Sequence, residues 1–126
     1  MRITIKSFWP AIIWLILSSV AFCLPGSALP TNDWFGVIQL DKWIHVGLFT
    51  VMIFLWCVPL FHRPGINLSL TKLFLWIAVA FFCYGILMEF IQHFFVSNRS
   101  FDMGDIAADA AGCLIGLFFV RWQWKQ

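Results

Sequence analysis

The sequence predicts an all-α membrane protein, a bundle of four transmembrane helices that forms a single domain over residues 1–126. Two observations predict this class. Hydrophobic residues make up 62% of the chain and charged residues only 11%, with a mean hydropathy of +0.89, whereas a soluble domain carries about 25% charged residues. The apolar residues also fall into four runs close to the roughly 20 residues that span a bilayer core. These runs make the lipid bilayer the expected partner. The net charge is only +2 and no basic stripe is present, so we expect no nucleic acid as a partner.

The four helices are predicted at about residues 8–24, 43–61, 73–95 and 105–124. Chain-breaking pairs follow the first two runs, Pro25-Gly26 and Pro64-Gly65. The third run begins after the polar residues around Lys72. The apolar part of the fourth is short, and Trp122 and Trp124 extend it as aromatic residues typical of the membrane interface.

Basic and acidic residues separate to opposite sides of this bundle. The basic residues on one side are Arg2, Lys6, Arg63, Lys72, Arg121 and Lys125, whereas the other side has Lys42 and Arg99. The acidic residues on or near that second side are Asp33, Asp41, Glu89, Asp102, Asp105 and Asp109. Because Lys and Arg favour the cytoplasmic side, both termini are predicted in the cytoplasm and the acidic residues face outward.

The first run also has features of a secretory signal peptide. Arg2 and Lys6 precede it, and the small residues Gly26-Ser27-Ala28 follow it at the spacing of a cleavage site. The run is longer than the apolar core of a typical signal peptide and contains Pro10, so we favour a retained helix.

Asp41-Lys42-x-x-His45 opens the second helix. Asp41 and His45 are four residues apart and therefore share a helix face. Asp41 also suits the positive N-terminal end of the helix, so a capping role competes with a role in a site. His45 lies about one turn deep, where a polar group needs a partner. That partner is either a site or a simple hydrogen bond between helices.

Glu89-x-x-Gln92-His93 closes the third helix, and its spacing places the three polar residues on one face. Glu89 lies about two turns before the last residue, Phe95. An ionised carboxylate at that depth costs on the order of 2.5 to 3.5 kcal/mol, so Glu89 must meet a cation, water or a proton. His45, Glu89 and His93 are the candidates for acid-base catalysis.

The third polar segment is Arg99-Ser-Phe-Asp102-x-x-Asp105-x-x-x-Asp109. Spacings of three and four residues put the three aspartates on one helix face, where like charges repel. We therefore expect them to be offset by a bound cation, shifted in pKa, or paired with Arg99, Lys42 and the histidines. Carboxylates suit Mg²⁺ or Mn²⁺, and an added imidazole suits Zn²⁺ or Fe.

Glu89, Asp105 and Asp109 are therefore the candidate ligands for a divalent cation. Small residues run beside the aspartates at intervals of four, namely Gly104, Ala108, Gly112 and Gly116. They predict a close approach of another helix, which would bring the acidic face against the polar ends of the second and third helices.

In this order, the polar segments are similar to those of the VanZ-like family of bacterial membrane proteins. The similarity rests on Leu40-Asp41-Lys42-Trp43-Ile44-His45 with Phe49, on Glu89-x-x-Gln92, and on Arg99-x-x-Asp102-x-x-Asp105 followed by Gly112-x-x-x-Gly116. It covers about residues 33–120. The resemblance implies a multi-pass protein of the bacterial cytoplasmic (inner) membrane with its polar residues facing outward.

The namesake of this family is associated with low-level resistance to the glycopeptide antibiotic teicoplanin. The family usually has asparagine where this chain has Asp109, so resistance is not carried over directly. An added carboxylate at that position would strengthen a cation site or change the substrate.

The sequence is compatible with three functions. In the first, the outward-facing residues bind a cell-wall precursor or a lipid head group and thereby affect glycopeptide susceptibility. The residues of that surface are Asp41, Lys42, His45, Glu89, Gln92, Arg99, Asp102, Asp105 and Asp109. In the second, the protein is an enzyme that uses a metal ion or acid-base residues on a lipid-linked substrate. In the third, the polar residues only hold the helices together in an accessory membrane subunit.

Overall fold

The computed structural model describes residues 5–25, 40–61, 68–97 and 99–125. Within them the fold is all-helical, as predicted. The four α-helices are α1 (Trp9–Phe22), α2 (Leu40–Cys57), α3 (Leu68–Phe95) and α4 (Met103–Trp124). Together with the short 3₁₀ turns Ile5–Phe8 and Val58–Leu60, they give four helical segments long and apolar enough to cross a membrane.

Three helices begin earlier than the apolar runs predicted. α2 begins at Leu40 rather than at 43, α3 at Leu68 rather than at 73, and α4 at Met103 rather than at 105. The reason is that backbone hydrogen bonding continues through the polar first turns, which hydropathy alone excludes from a membrane span. Other predicted features lie outside the described residues, namely Arg2, Asp33, Arg63, the Gly26-Ser27-Ala28 segment and the Pro64-Gly65 turn.

α2 and α4 pack most closely in the bundle, and glycines allow it. A Cβ atom on Gly112 would lie 2.6 Å from the carbonyl oxygen of Val46, and one on Gly116 would lie 2.9 Å from that of Thr50. Both distances are shorter than normal van der Waals contacts, so only glycine fits without a shift. The Thr50 hydroxyl donates to the carbonyl of Gly112 at 3.2 Å. The small residues of α4 therefore bring its acidic end against α2, as the sequence predicted.

Polar contacts attach α1 to the rest of the bundle. The Trp14 indole nitrogen donates to the carbonyl of Leu48 on α2 at 3.0 Å, and the hydroxyls of Ser19 and Tyr84 on α3 are 2.6 Å apart. Because few partners compete for such groups within an apolar bundle, these bonds fix the rotation of α1.

The bundle buries a central core and leaves apolar side chains on its outer surface. Phe49, Ile53 and Phe74 are fully enclosed, whereas Trp43, Trp76 and other large side chains of the same helices are exposed. A protein in water would not expose so much contiguous apolar surface, and lipid accounts for it.

Candidate functional site

The polar side chains gather at one end of the bundle, where α2 and α4 begin and α3 ends. We call this group the polar cluster. Its members are Asp41, Lys42, His45, Glu89, Asp102, Asp105 and Asp109. Four of these side chains are buried, and Glu89 and Asp109 are each only 1% exposed. Single donor atoms of His45, Glu89 and Asp105, one from each of three helices, lie within 4.8 Å of one another.

Asp102 forms the N-terminal cap of α4. Its backbone is extended, and its Oδ1 accepts a hydrogen bond from the backbone N–H of Gly104 at 2.7 Å. Its Oδ2 accepts one from Lys42 Nζ at 2.9 Å. The Lys42 hydrogen bond and the Gly104 N–H together lower the pKa of Asp102 below its usual range. One carboxylate therefore starts α4 and also joins α4 to α2.

Lys42 is surrounded by carboxylates. Its Nζ lies 2.9 Å from Asp102, 3.6 Å from Asp105 and 3.7 Å from Asp41. The Lys42 side chain is 28% exposed, so the group meets solvent or a head group on one side and the buried part of the cluster on the other. Lys42 provides the offsetting cation that the sequence required for the aspartates.

His45 forms a buried pair with Asp109. The distance from His45 Nδ1 to Asp109 Oδ1 is 2.7 Å, and the imidazole packs against the ring of Phe22 with centroids 4.9 Å apart. An ionised Asp109 can only accept a hydrogen bond, so Nδ1 then carries the proton and Nε2 faces Asp105, with 3.9 Å between Nε2 and Asp105 Oδ2. A carboxylate thus fixes the tautomer and the orientation of the ring.

Gly85 on α3 provides the space for Asp109. A Cβ atom on Gly85 would lie 2.6 Å from Asp109 Oδ2 and 3.0 Å from the ring of Phe49. Gly85 was not among the residues predicted from the sequence, because an isolated glycine in an apolar helix does not by itself indicate a site. Its one available signal was the spacing of four residues to Glu89, which places both on the same face of α3.

Glu89 is bound by the backbone of the cap residue. Its Oε2 accepts a hydrogen bond from the N–H of Asp102 at 3.2 Å. Its other oxygen, Oε1, is buried and accepts no hydrogen bond from the described part of the chain, and the same holds for Oδ1 of Asp105. Of these two oxygens, Asp105 Oδ1 lies 3.6 Å from the Lys42 ammonium, whereas Glu89 Oε1 is a buried acceptor without a hydrogen-bond donor in the described ranges.

Gln92 and Arg99 join α1 to this end of the bundle rather than entering the cluster. Gln92 is buried, and its Nε2 donates to the carbonyl of Phe22 at 2.8 Å. Arg99 Nε donates to the carbonyl of Leu24 at 3.3 Å. Among the described residues no carboxylate lies within 4.0 Å of the Arg99 guanidinium, so the expected pairing of Arg99 with the aspartates does not occur there.

His93 lies away from the cluster. It is exposed and packs against Phe94 and Phe101, so the expectation of one shared face holds for Glu89 and Gln92 but not for His93. The buried face of α3 passes through Gly85, Met88 and Gln92, and His93 points away from the centre of that face. His93 therefore lies outside the polar cluster.

A narrow cleft opens between α1 and α2 beside the cluster, with a volume of about 150 Å³. Phe22, Ile44 and Leu48 form its apolar walls, and Asp41, His45 and Arg99 are the polar residues that line it. The cleft therefore combines an apolar surface with one acidic and one basic side chain of opposite charge.

Comparison with known proteins agrees with the resemblance found in the sequence. A family model described as VanZ/LLP1 matches residues 5–124, nearly the whole chain. Neither a curated protein nor a solved structure gives a significant match.

Proposed function

The chain belongs to the VanZ/LLP1 family and is a multi-pass membrane protein with four apolar helices, and from this premise we propose that it binds an amphiphile of the bacterial cell envelope. The ligand is a cell-wall precursor or a membrane lipid. Its head group lies against the outward-facing polar end of the bundle in the cytoplasmic membrane.

One observation carries this proposal, the cleft between α1 and α2. Its walls are apolar, yet Asp41 and Arg99 line it together. An acyl or isoprenoid chain suits the walls, because both are apolar and such a chain can pack against them as it packs against lipid. The charged pair suits a head group that carries both signs.

The two charged residues have separate roles in this proposal. The Nε of Arg99 donates a hydrogen bond to the carbonyl of Leu24. The other N–H groups of the guanidinium can donate to a phosphate, which arginine binds through two parallel hydrogen bonds. Asp41 is exposed, and its carboxylate lies 3.7 Å from the Lys42 ammonium. In this proposal it accepts a hydrogen bond from the amine of the head group. A zwitterionic head group, with phosphate and amine, matches this arrangement better than a purely anionic one, since the carboxylates of the cluster repel excess negative charge.

The effect on glycopeptide susceptibility follows from the same binding. A protein that holds a cell-wall precursor at the outer face of the cytoplasmic membrane changes how much of that precursor is accessible to teicoplanin. We therefore expect a deletion strain to change its susceptibility to teicoplanin, and the wild-type chain to restore it.

The direct test is lipid-dependent thermal stabilisation of the purified protein in detergent. We expect phosphatidylethanolamine or an undecaprenyl-linked precursor to raise the unfolding temperature more than phosphatidylglycerol does, because a ligand that binds only the folded state stabilises it. Arg99→Gln should reduce that stabilisation. Arg121→Gln is the matched control, since it removes the same side chain at the opposite end of the bundle, where Arg121 is exposed on the last turn of α4.

The same experiment separates binding from a purely structural role. If the polar residues only hold the helices together, Arg99→Gln lowers the unfolding temperature without lipid and leaves the lipid-induced shift unchanged. Equal stabilisation by all head groups in both variants would contradict the proposal.

A further inference from the structure

We propose that His45, Glu89 and Asp105 bind a divalent transition-metal ion, Zn²⁺ or Mn²⁺, at the polar end of the bundle. This inference goes beyond the proposed binding of an amphiphile and does not depend on it, because Glu89 and Asp105 do not line the cleft and only His45 borders both sites.

The donor set of these three side chains has the chemistry of a metal site. One nitrogen of the imidazole and one oxygen from each of two carboxylates lie within 4.8 Å of one another. Metal–ligand bonds of about 2.0–2.2 Å place donors on opposite sides of an ion about 4.0–4.4 Å apart, so side-chain movements of a few tenths of an ångström would bring these donors to a common ion. Imidazole suits Zn²⁺ and carboxylates suit Mn²⁺, and three protein ligands leave a coordination position open.

A buried carboxylate oxygen without a partner also favours a bound ion. Oε1 of Glu89, a side chain only 1% exposed, accepts no hydrogen bond from the described residues. On Asp105, Oδ1 lies 3.6 Å from the Lys42 ammonium, and Oδ2 is the oxygen on the side of His45. Leaving a buried acceptor unsatisfied is costly, and native proteins rarely do so without an ion or water. A metal ion between Glu89 and Asp105 would supply the missing interaction.

The buried carboxylates of the cluster also outnumber the cations near them. Glu89, Asp105 and Asp109 are all buried, and the nearest ammonium, that of Lys42, approaches Asp105 only to 3.6 Å. The cation of Lys42 is shared with the exposed carboxylates as well. Buried carboxylates are stable when paired or when they coordinate a metal, and one divalent ion offsets two of these charges.

Asp109 supports the site from outside it. Its Oδ1 lies 2.7 Å from His45 Nδ1, which leaves Nε2 as the ligand nitrogen on the side of Asp105. Metal-bound histidines generally donate their other N–H to a carboxylate or carbonyl, and this partner orients the ring. The structure thus assigns Asp109 a positioning role, where the sequence had proposed it as a ligand. His45 takes its place as the third donor.

A second acidic group in the cluster is already occupied. Asp41, Asp102 and Asp105 also offer oxygens within 4.8 Å of one another, but the Lys42 ammonium lies among them at 2.9 to 3.7 Å. The metal is therefore expected on the His45 side of Asp105 and the ammonium on its other side.

The test uses the full chain in detergent, stripped with EDTA and titrated with ZnCl₂, MnCl₂ or MgCl₂ at neutral pH, without any lipid ligand. We expect one Zn²⁺ or Mn²⁺ ion per chain after desalting, and an unfolding temperature that rises with the metal concentration but not with Mg²⁺. Because no amphiphile is present, failure here leaves the proposed function untouched, and the reverse also holds.

Variants locate the ion. Glu89→Gln and Asp105→Asn should lose the bound metal, whereas the matched control Asp41→Asn should keep it. Asp109→Asn should keep the stoichiometry with an affinity lowered about 10–100-fold, as expected for an outer partner of a metal-bound histidine. The proposal is overturned if the wild-type chain neither retains nor is stabilised by Zn²⁺ or Mn²⁺, a result that requires no variant to fold. Equal metal content in Glu89→Gln and Asp41→Asn would also overturn it.

Discussion

Replacing Gly112 with alanine is expected to force α2 and α4 apart and to break the hydrogen bond between His45 and Asp109. The added Cβ would lie 2.6 Å from the carbonyl oxygen of Val46 and 2.7 Å from Cβ of Phe49. Both obstacles are on or next to the backbone, so neither can rotate away. Reaching the 3.4 Å of ordinary contact requires a local separation of about 0.8 Å, well beyond what packed interiors absorb without cost.

That separation has a direct consequence for the buried pair. His45 and Asp109 are on the same two helices, within one turn of the contact, and their hydrogen bond is 2.7 Å long. Lengthening it by about 0.8 Å takes it outside the 2.7–3.2 Å range of N–H···O hydrogen bonds. Overpacking costs about 1–3 kcal/mol, and the lost bond adds to this. The higher helix propensity of alanine offsets about 0.5–1 kcal/mol of this loss in stability.

We therefore expect Gly112→Ala to lower the stability by about 1–3 kcal/mol, measured as reversible unfolding in mixed detergent micelles. Gly47→Ala is the matched control. It makes the same substitution within α2, but no atom lies within 4 Å of the added Cβ, so its stability should stay equal or rise slightly. If Gly112→Ala is as stable as Gly47→Ala, the close approach of α2 and α4 is not what positions this end of the bundle.

Two further predictions concern the attachment of α1 and the start of α4. Gln92→Leu should lower the stability by about 1–3 kcal/mol, because it leaves the buried carbonyl of Phe22 without its donor; unfolding in detergent measures this, and a change within error would show that the Gln92 contact is dispensable. Asp102 has a lowered pKa in the folded state because of Lys42, so its stabilisation is present above the unfolded pKa of about 3.9 and is lost as the pH falls through the lower folded value. The stability difference between wild type and Asp102→Asn should therefore shrink on acidification, by a small amount because the side chain is 42% exposed, and a difference that is constant down to the acid limit would contradict the assignment.

The sequence by itself determined the fold class of the protein and which polar residues lie at one end of the bundle. Apolar runs of sufficient length leave an α-helix as the simplest way to satisfy the backbone in lipid, and four such runs give four helices. The spacing of three and four residues correctly placed Asp105 and Asp109 on one face of α4. The glycine stripe correctly identified the face that meets another helix, and the ordered polar segments identified the family.

Tertiary structure decided which polar groups meet. Helical periodicity fixes the angle of a side chain around its own axis, but it does not give the rotation of that helix against its neighbours. For this reason the sequence grouped His93 with Gln92, although His93 is exposed and Gln92 is buried.

The distances between helices were likewise out of reach of sequence patterns. Asp109 approaches His45 because Gly85 and Gly112 leave room on α3 and α4, and Glu89 accepts from the backbone of Asp102 rather than from a cation. Such contacts depend on fractions of an ångström between packed helices. The sequence specifies which side chains lie at the polar end, and only the packing specifies which atoms face each other.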